Sequence, residues 1–172
     1  KDLDIEVYHC GSINELTRCL RDKYTVYEIG ESFGICQIHI DDWVIDLALP
    51  RTETKISKGH TGFKVDHFSE LDIKKASLRR DFTINSMAYD PIHHHFVDPN
   101  NGLADLKSKV LRHVSDQFSE DSLRVYRAMQ FAARFEFSID SHTLDLCSKM
   151  DLSDLPKERI FEEFKKCLLQ SS

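Results

Sequence analysis

The chain has 172 residues, of which 41% are hydrophobic and 30% charged, and its formal net charge at pH 7 is −6. This composition, with six glycines and four prolines, is typical of a folded globular protein and excludes long disordered or collagen-like segments. No run approaches the roughly 18 consecutive apolar residues of a membrane span, so we expect no membrane segment. The negative net charge argues against a protein that coats nucleic acid regardless of sequence.

The chain contains five cysteines, at positions 10, 19, 36, 147 and 167. Their odd number, their wide spacing and the absence of a CxxC pair indicate reduced thiols that pack as small hydrophobic side chains. We therefore expect a cytoplasmic protein without a zinc site.

The first half of the chain alternates between short strands and helices. Residues 2–8 alternate apolar and acidic side chains with the period of two that is typical of a strand. Ser12 and Glu15 form a capping-box pattern that predicts a helix over 13–23. Further strands are predicted at 25–29, 35–40 and 43–49. The polar, lysine-rich segment from Pro50 to His67 has no sustained period, and we predict a long mobile loop there.

Helical patterns dominate the rest of the chain. The predicted elements are helices at 70–78 and 82–89, a strand at 95–98, a small helix at 103–107, a strand at 109–114, and helices at 121–135, 141–150 and 157–170. Pro156 suits the first turn of the last helix, where its missing N–H is not needed. We expect two domains, a mixed α/β domain over 1–113 and a helical domain over 114–172.

Three carboxylates are candidates for a metal and catalytic site. Asp2 and Asp4 are two residues apart on one strand, so both project from one face with Cα atoms about 6.6 Å apart. Asp46 interrupts an apolar run, where an unpaired charge costs several kcal/mol. Divalent cations such as Mg²⁺ take carboxylate oxygens, and the three are assigned to a shared cation. The alternatives are a solvated acidic strand face for Asp2 and Asp4, and neutralisation of Asp46 by an arginine or lysine.

Asp121, Arg124 and Arg127 follow a spacing of three that places them along one edge of a helix. An ordinary surface salt bridge explains the same pattern. A fixed carboxylate beside a guanidinium also matches the Watson–Crick edges of cytosine and adenine, which carry an amino donor next to a ring-nitrogen acceptor. Uracil and guanine present a carbonyl beside an N–H, so the carboxylate would face the carbonyl acceptor and the guanidinium would face the N–H donor. Such a helix is predicted to accept C and A and to reject U and G.

The segment LRRDFTIN at residues 78–85 supplies four further candidate nucleotide-binding residues, Arg79, Arg80, Asp81 and Asn85. Paired arginines suit phosphate oxygens, and a carboxylate near a ribose commonly binds the 2′-hydroxyl. In the alternative interpretation, which is compatible with the first, Asp81 caps the helix that follows.

Five segments, in this order, resemble the motifs of class II tRNA nucleotidyltransferases, the CCA-adding enzymes, and of their relatives the bacterial poly(A) polymerases. They are DLD at 2–4 (metal motif), LRRDFTINSMA at 78–88 (ribose motif), DPNNGLADL at 98–106 (head–neck hinge), EDSLRVYRAMQFAARF at 120–135 (base-reading motif) and PKERIFEE at 156–163 (last neck motif). The resemblance covers nearly the whole chain. It implies an α+β fold, with a polymerase-β-type nucleotidyltransferase head of small mixed sheet and helices followed by an all-helical neck.

The resemblance also implies roles for individual residues. Asp2 and Asp4 would hold Mg²⁺, Arg80 and Asp81 would contact the ribose, and Asp121 and Arg124 would pair with the base of the incoming CTP or ATP. The segment 51–64 is similar to the flexible loop that helps the family switch from C to A.

The sequence departs from the family pattern in three ways. It contains no glycine-rich element before the metal motif, Gln130 stands where an arginine is frequent, and no body or tail follows the neck. We expect a fragment of a longer protein that lacks one basic contact.

These features predict a template-independent, metal-dependent transfer of CMP and AMP from CTP and ATP to the 3′-hydroxyl of tRNA, with release of pyrophosphate. The alternatives within the enzyme class are a poly(A) polymerase and an enzyme that adds only CC or only A. Outside that class the alternative is a nucleotide-binding or RNA-binding module. Three carboxylates disfavour such a module, because a phosphate binder gains nothing from their charge without a metal.

Overall fold

A computed structural model describes residues 2–30, 34–55, 63–67 and 72–170. The chain divides into two compact units, one of Lys1–Thr54 and Lys64–Ala76, the other of Lys55–Phe63 and Ser77–Ser172. Each unit has a hydrophobic core of its own. None of the helices in the described ranges is long and apolar enough to cross a bilayer.

The first unit is built on a four-stranded mixed sheet with the strand order β1-β4-β3-β2. The strands are β1 (Asp2–Glu6), β2 (Val26–Gly30), β3 (Ile35–Ile40) and β4 (Trp43–Ala48). Strand β1 runs parallel to β4, whereas β4–β3 and β3–β2 are antiparallel. All four predicted strands in this region are confirmed. Asp41 has a φ of 52° in the turn between β3 and β4, the left-handed conformation that aspartate tolerates at a tight turn.

One face of this sheet packs against helix α1 (Ile13–Arg21). Cys36, Ile38 and Leu47 are buried at its centre, and Ile13, Leu16 and Leu20 of the helix pack against them. The predicted helix start is confirmed, because Ser12 Oγ accepts a hydrogen bond from Glu15 N at 3.1 Å. An N-cap of this kind contributes about 1 kcal/mol.

The predicted loop over 50–67 is wrong at both ends. Strands β5 (Arg51–Lys55) and β6 (Phe63–His67) pair as a two-stranded sheet, and residues 56–62 lie outside the described residues. Hydrogen bonds between backbone groups hold two strands together without any alternation of apolar side chains. The polar sequence therefore did not predict this strand pair. Helix α2 (Ile73–Ser77) is shorter than the predicted 70–78, whose first two residues also lie outside the described ranges.

The second unit is mainly helical. Its helices are α3 (Gly102–Ser108), α4 (Leu123–Phe135), α5 (Ser141–Ser148) and α6 (Lys157–Gln170), and its strands are β7 (Ala88–Asp90), β8 (His95–Val97), β9 (Val110–Leu111) and β10 (Ser138–Ile139). Strands β7 and β8 form an antiparallel hairpin, and β9 and β10 pair in parallel. The last three predicted helices are confirmed, and the predicted strand over 109–114 shortens to β9.

The predicted helix over 82–89 is wrong. A 3₁₀ turn (Thr83–Asn85) and strand β7 occupy this region instead. Tertiary contacts explain the difference. Thr83 N donates to Arg112 O at 2.9 Å, and the backbones of Phe82 and His113 pair in an isolated antiparallel β-bridge. These contacts hold the segment in a geometry that an α-helix would break.

Phe82 is the centre of the second core. It is fully buried with Leu111 and Phe118, and its ring lies 5.5 Å from Phe118 and 5.7 Å from Phe131 in edge-to-face arrangements. Gly102 begins α3 so close to Thr83 that a Cβ atom there would overlap the Thr83 carbonyl group. The segment with the 3₁₀ turn therefore packs against both α3 and α4.

Candidate functional site

The second unit contains a cavity of about 610 Å³, a size typical of small-molecule sites. Its wall combines the segment before the 3₁₀ turn with α4 and α6. The lining residues are Arg79, Arg80, Asp81, Asp121, Leu123, Arg124, Arg127, Glu158, Arg159, Glu162, Glu163 and Lys166. The structure thus brings together six of the seven residues that the sequence assigned to nucleotide binding.

Asp81, whose side chain is buried, and the half-buried Arg127 form an ion pair in this wall. Oδ2 of Asp81 accepts from Arg127 Nε at 2.8 Å and lies 2.6 Å from Nη2. Oδ1 accepts from Phe82 N at 2.7 Å and from Asn85 Nδ2 at 3.1 Å. A carboxylate has about four acceptor sites, so the protein itself satisfies this carboxylate, and Asp81 fixes both the turn and the guanidinium. Asn85, the seventh assigned residue, supports Asp81 and does not line the cavity.

The guanidinium of Arg124 is anchored to the backbone. Nη1 donates to Gln117 O at 2.8 Å, and Nη2 donates to Arg79 O. Its Cζ atom lies 5.8 Å from the centroid of the Phe118 ring. These contacts hold the donor group in one orientation, which is a requirement for recognising a planar base edge.

Asp121 lies two residues before the first residue of α4, Leu123, and not within the helix as the sequence predicted. Its Oδ1 accepts from Leu123 N at 3.1 Å and so satisfies the first backbone N–H of the helix. Within the described part of the chain, Oδ2 has no hydrogen-bond partner. One acceptor atom of this cavity-lining residue is therefore available to a ligand.

The helix α6 contributes five cavity residues to which sequence analysis assigned no role: Glu158, Arg159, Glu162, Glu163 and Lys166. Glu163 is 4% exposed, and its Oε1 accepts from Lys166 Nζ at 2.9 Å. Its Oε2 is buried without a hydrogen-bond partner in the described residues. The spacing of four between 158, 162 and 166 was the available signal, because it places these side chains on one helical face.

The charges of the cavity wall nearly cancel. Six arginine and lysine side chains and five aspartate and glutamate side chains line it. A site of this composition offers donors and acceptors side by side, which suits recognition by hydrogen-bond pattern more than by total charge.

Gln130 lies on α4 outside this lining. It is 2% exposed, and its Nε2 has no hydrogen-bond partner among the described residues. The position therefore supplies no positive charge to the cavity.

The first unit holds the carboxylates assigned to a metal. Asp4 of β1 is the register partner of Asp46 of β4, and partners in a parallel ladder lie on the same face, with strands about 4.8 Å apart. Asp2 precedes Asp4 by two residues on β1, and its side chain lies outside the described side chains. Among the described side chains no three potential ligands converge on a metal position.

Asp46 is paired with an amide, and not with the arginine or lysine of the alternative interpretation. Gln37 Nε2 donates to Asp46 Oδ1 at 2.7 Å, and in the described ranges no cationic side chain contacts Asp46. Among the described residues neither Asp4 nor Asp46 has a cationic partner, and two such carboxylates on neighbouring strands fit the oxygen donor set that a hard divalent cation prefers. The residues therefore fit a divalent metal.

Residues 1–112 match the family described as Poly A polymerase head domain. The chain belongs to this family. The similarity to CCA-adding enzymes and bacterial poly(A) polymerases inferred from the motifs is thereby confirmed, and so is the polymerase-β-type head. The family implies a requirement for a divalent metal.

Individual relatives agree with this assignment. The Multifunctional CCA protein of Pseudoalteromonas atlantica is 43% identical over 134 residues, which are 74% of this chain and 33% of that protein. The solved complex of a CCA-adding enzyme with CTP has a TM-score of 0.76 and 26% identity, covering 99% of this chain and 39% of that one. A tRNA nucleotidyltransferase complexed with a primer tRNA and an incoming ATP analog has a TM-score of 0.72 and 26% identity, with coverages of 95% and 46%. The chain thus spans about a third of the length of the curated relatives it matches.

Proposed function

We propose that this chain forms the head and neck of an enzyme that adds CMP and AMP from CTP and ATP to the 3′-hydroxyl of tRNA without a template. In this reaction the 3′-oxygen forms a bond to the α-phosphorus, the bond from that phosphorus to the β-phosphate oxygen breaks, and pyrophosphate leaves. The observation that carries the proposal is that Asp121, Arg124 and Arg127 line one and the same cavity. Relatives named for CCA addition and complexes with CTP and tRNA support it.

The cavity is proposed to select the base. Asp121 Oδ2 accepts from the exocyclic amino group that cytosine and adenine share, and the anchored Arg124 donates to the adjacent ring nitrogen. Uracil and guanine would leave both groups unpaired, and a buried polar group without its partner gives strong rejection.

The sugar and phosphates are assigned to the arginines of the same wall. Arg80 is exposed and Arg79 is half-buried, and paired arginines suit phosphate oxygens. Asp81, assigned to the ribose by the family resemblance, has its acceptor sites used by Phe82, Asn85 and Arg127. We propose that Asp81 acts mainly by orienting Arg127 toward the nucleotide.

The strand carboxylates Asp2, Asp4 and Asp46 are proposed to hold the metal, which we assign as Mg²⁺. Bound Mg²⁺ would lower the pKa of the attacking hydroxyl and stabilise the charge on the leaving pyrophosphate. The residues of the chain supply the remaining part of catalysis, which is to place the nucleotide and to complement its charge.

The test uses tRNA that lacks its 3′ CCA, labelled CTP and ATP, and Mg²⁺. We expect incorporation of CMP and AMP that Asp4→Asn and Asp46→Asn each abolish, while the circular dichroism spectrum and the melting temperature are retained. Glu6→Gln, which removes another acidic side chain of β1, is the control and should remain active. Incorporation that survives Asp4→Asn would contradict the metal assignment.

A poly(A) polymerase is the second candidate, because the matching family carries that description. The length of the product separates the two activities. CCA addition stops after three nucleotides and needs CTP, whereas a poly(A) polymerase extends a ladder from ATP alone. Addition that stops after CC, or of a single A, identifies a partial enzyme. Mg²⁺-dependent binding of CTP and ATP without any incorporation would indicate a binding module.

Two assignments accompany the proposed function. We propose a boundary between head and neck at 113/114, which the end of the family match at residue 112 supports; the compact unit that includes Ser77–Ser172 contains residues on both sides of this boundary. A reaction on tRNA is expected in the cytoplasm, where reduced cysteines persist.

A further inference from the structure

The carboxylate of Asp46 is held on one oxygen only. Gln37 Nε2 donates to Oδ1 at 2.7 Å, and within the described residues Oδ2 has no hydrogen-bond partner. Gln37 and Asp46 are register partners on the antiparallel strands β3 and β4. The contact is therefore fixed by the sheet and does not depend on a loop.

His39 determines which end of the Gln37 amide faces Asp46. His39 Nε2 lies 2.9 Å from Gln37 Oε1, and the His39 ring packs against Tyr27 with 4.7 Å between centroids. When the imidazole donates to the amide oxygen, the amide nitrogen must point to the opposite side, where Asp46 lies. His39, Gln37 and Asp46 are thus linked by two consecutive hydrogen bonds, the second of which ends on Oδ1 of Asp46.

This chain of hydrogen bonds belongs to the polar face of the sheet. Asp4 is the register partner of Asp46, and His39 follows Gln37 by two residues on β3. The opposite face carries Cys36, Ile38 and Leu47 and is covered by α1. Gln37 is thus the neighbour of Asp46 on one side, and Asp4 is its neighbour on the other.

Divalent cations differ in how they use a carboxylate. Ca²⁺ takes six to eight oxygens and commonly binds a carboxylate through both of them, whereas Mg²⁺ requires a near-octahedral shell and binds one oxygen of each carboxylate. An oxygen that already accepts an amide N–H is a poor second ligand, because the cation would have to displace that donor. A carboxylate tied at Oδ1 therefore suits Mg²⁺ better than Ca²⁺.

We propose that Gln37 is a cation-selectivity residue. By occupying Oδ1 of Asp46 it restricts this carboxylate to one oxygen and disfavours Ca²⁺ relative to Mg²⁺, with His39 fixing the orientation of the amide. The inference rests on the proposed function, in which Asp4 and Asp46 hold a divalent metal. It gives roles to Gln37 and His39 that the motifs do not contain.

The experiment measures cation binding and not turnover. Mn²⁺ is bound to the protein, and its displacement by Mg²⁺ or Ca²⁺ is followed by electron paramagnetic resonance, which gives the Ca²⁺/Mg²⁺ affinity ratio. Gln37→Leu keeps the size of the side chain and removes the amide, and we expect the ratio to rise about tenfold as Oδ1 becomes available to Ca²⁺. His39→Phe preserves the ring contact with Tyr27 and should raise the ratio by a smaller factor.

Asn14→Ala is the control, since it removes an exposed amide from α1, which packs on the other face of the sheet. The ratio should stay at the wild-type value. Gln37→Met replaces Gln37→Leu if the leucine variant does not fold. A ratio that is unchanged in a folded Gln37 variant, or a proportional loss of both cations, overturns the selectivity role. Mn²⁺ binding that Asp46→Asn and Asp4→Asn leave intact instead overturns the proposed metal site, so the two failures are distinguishable.

Discussion

Oδ2 of Asp81 lies 2.6 Å from Nη2 of Arg127 and accepts from its Nε at 2.8 Å, so a residue before the 3₁₀ turn and a residue of α4 are locked together. The Asp81 side chain is 8% exposed and the Arg127 side chain 32%. Arg127 Cζ also lies 5.2 Å from the centroid of the Phe131 ring. The ion pair fixes the position of a guanidinium that lines the cavity and connects that position to the hydrophobic core.

Breaking the Asp81–Arg127 ion pair should lower the free energy of unfolding far more than breaking an ion pair on the surface. Arg127→Met is expected to lower the free energy of unfolding by about 3 kcal/mol, because it leaves the buried Asp81 carboxylate without its cationic partner. Asp81→Asn leaves a guanidinium that is about one-third exposed and is expected to lower it by less. Urea denaturation measures the loss, and the double variant should lose less than the sum of the two. Asp145→Asn removes the exposed Lys149 pair and should cost at most about 0.5 kcal/mol. Equal losses at Asp81 and Asp145 would contradict the structural role.

Gly102→Ala should destabilise the second unit. The added methyl group would overlap the backbone carbonyl of Thr83, and such overpacking against backbone costs about 2 kcal/mol or more. Gly11→Ala is the matched control, since its new Cβ would meet only the flexible end of Glu15. Melting temperatures of the two variants give the comparison. A Gly102 variant as stable as the Gly11 variant would show that α3 can shift away from the turn.

The stability of the protein should fall as the pH is lowered through the range where histidine titrates. Burial lowers the pKa of His113 below its usual value near 6.5, although Asp116 and Asp140 act in the opposite direction. His113 Nδ1 also lies 2.8 Å from the hydroxyl oxygen of the fully buried Thr143. The unfolded chain then binds the proton more readily than the folded one, so stability is complete above about pH 6.5 and decreases below it.

Urea denaturation between pH 7.5 and pH 5 checks this expectation. His113→Gln should show a flatter dependence on pH than the wild type, and the exposed His95→Gln should show the same dependence as the wild type. A steeper loss of stability in His113→Gln would mean that another group controls the transition.

Replacing Asp121 should weaken the binding of CTP and ATP and leave the weak binding of UTP and GTP unchanged. The loss of a charged acceptor is expected to cost about 10- to 100-fold in affinity. Asp121→Ser is the preferred variant, because the serine hydroxyl still offers an acceptor for Leu123 N while its shorter side chain removes the second acceptor atom from the cavity. Equilibrium dialysis with each nucleotide measures the effect, with the exposed Asp116→Ala as control. Equal weakening for all four nucleotides would place Asp121 away from the base.

The sequence could predict those elements whose local signals agree with the tertiary structure. The strand Ile35–Ile40 and the helix Lys157–Gln170 were predicted with their observed bounds, since an apolar pattern, and for the helix a proline at its start, coincide there. The predicted helix over 82–89 failed because Thr83 bonds to Arg112, a residue 29 positions away. Contacts between residues so far apart in the sequence do not affect the local pattern of apolar and polar residues.

The candidate site was predictable to a similar extent. Asp121, Arg124 and Arg127 could be grouped from their spacing of three residues, although only the two arginines lie within α4. The pairing of Asp81 with Arg127 spans 46 positions, and the amide of Gln37 reaches Asp46 across a turn between strands. Both contacts depend on register and packing, which a residue pattern does not specify. The charged face of α6 could be recognised from the spacing of four between residues 158, 162 and 166. Its contribution to the cavity wall became apparent only from the structure.

The near balance of charge in the cavity wall has a consequence for how ionic strength affects the protein. Added salt screens the attraction between a net-charged surface and a polyanion, but it has little effect on short hydrogen bonds between matched dipoles. Discrimination among the four nucleobases should therefore persist in concentrated salt, even where the affinity for the nucleotide and for RNA decreases.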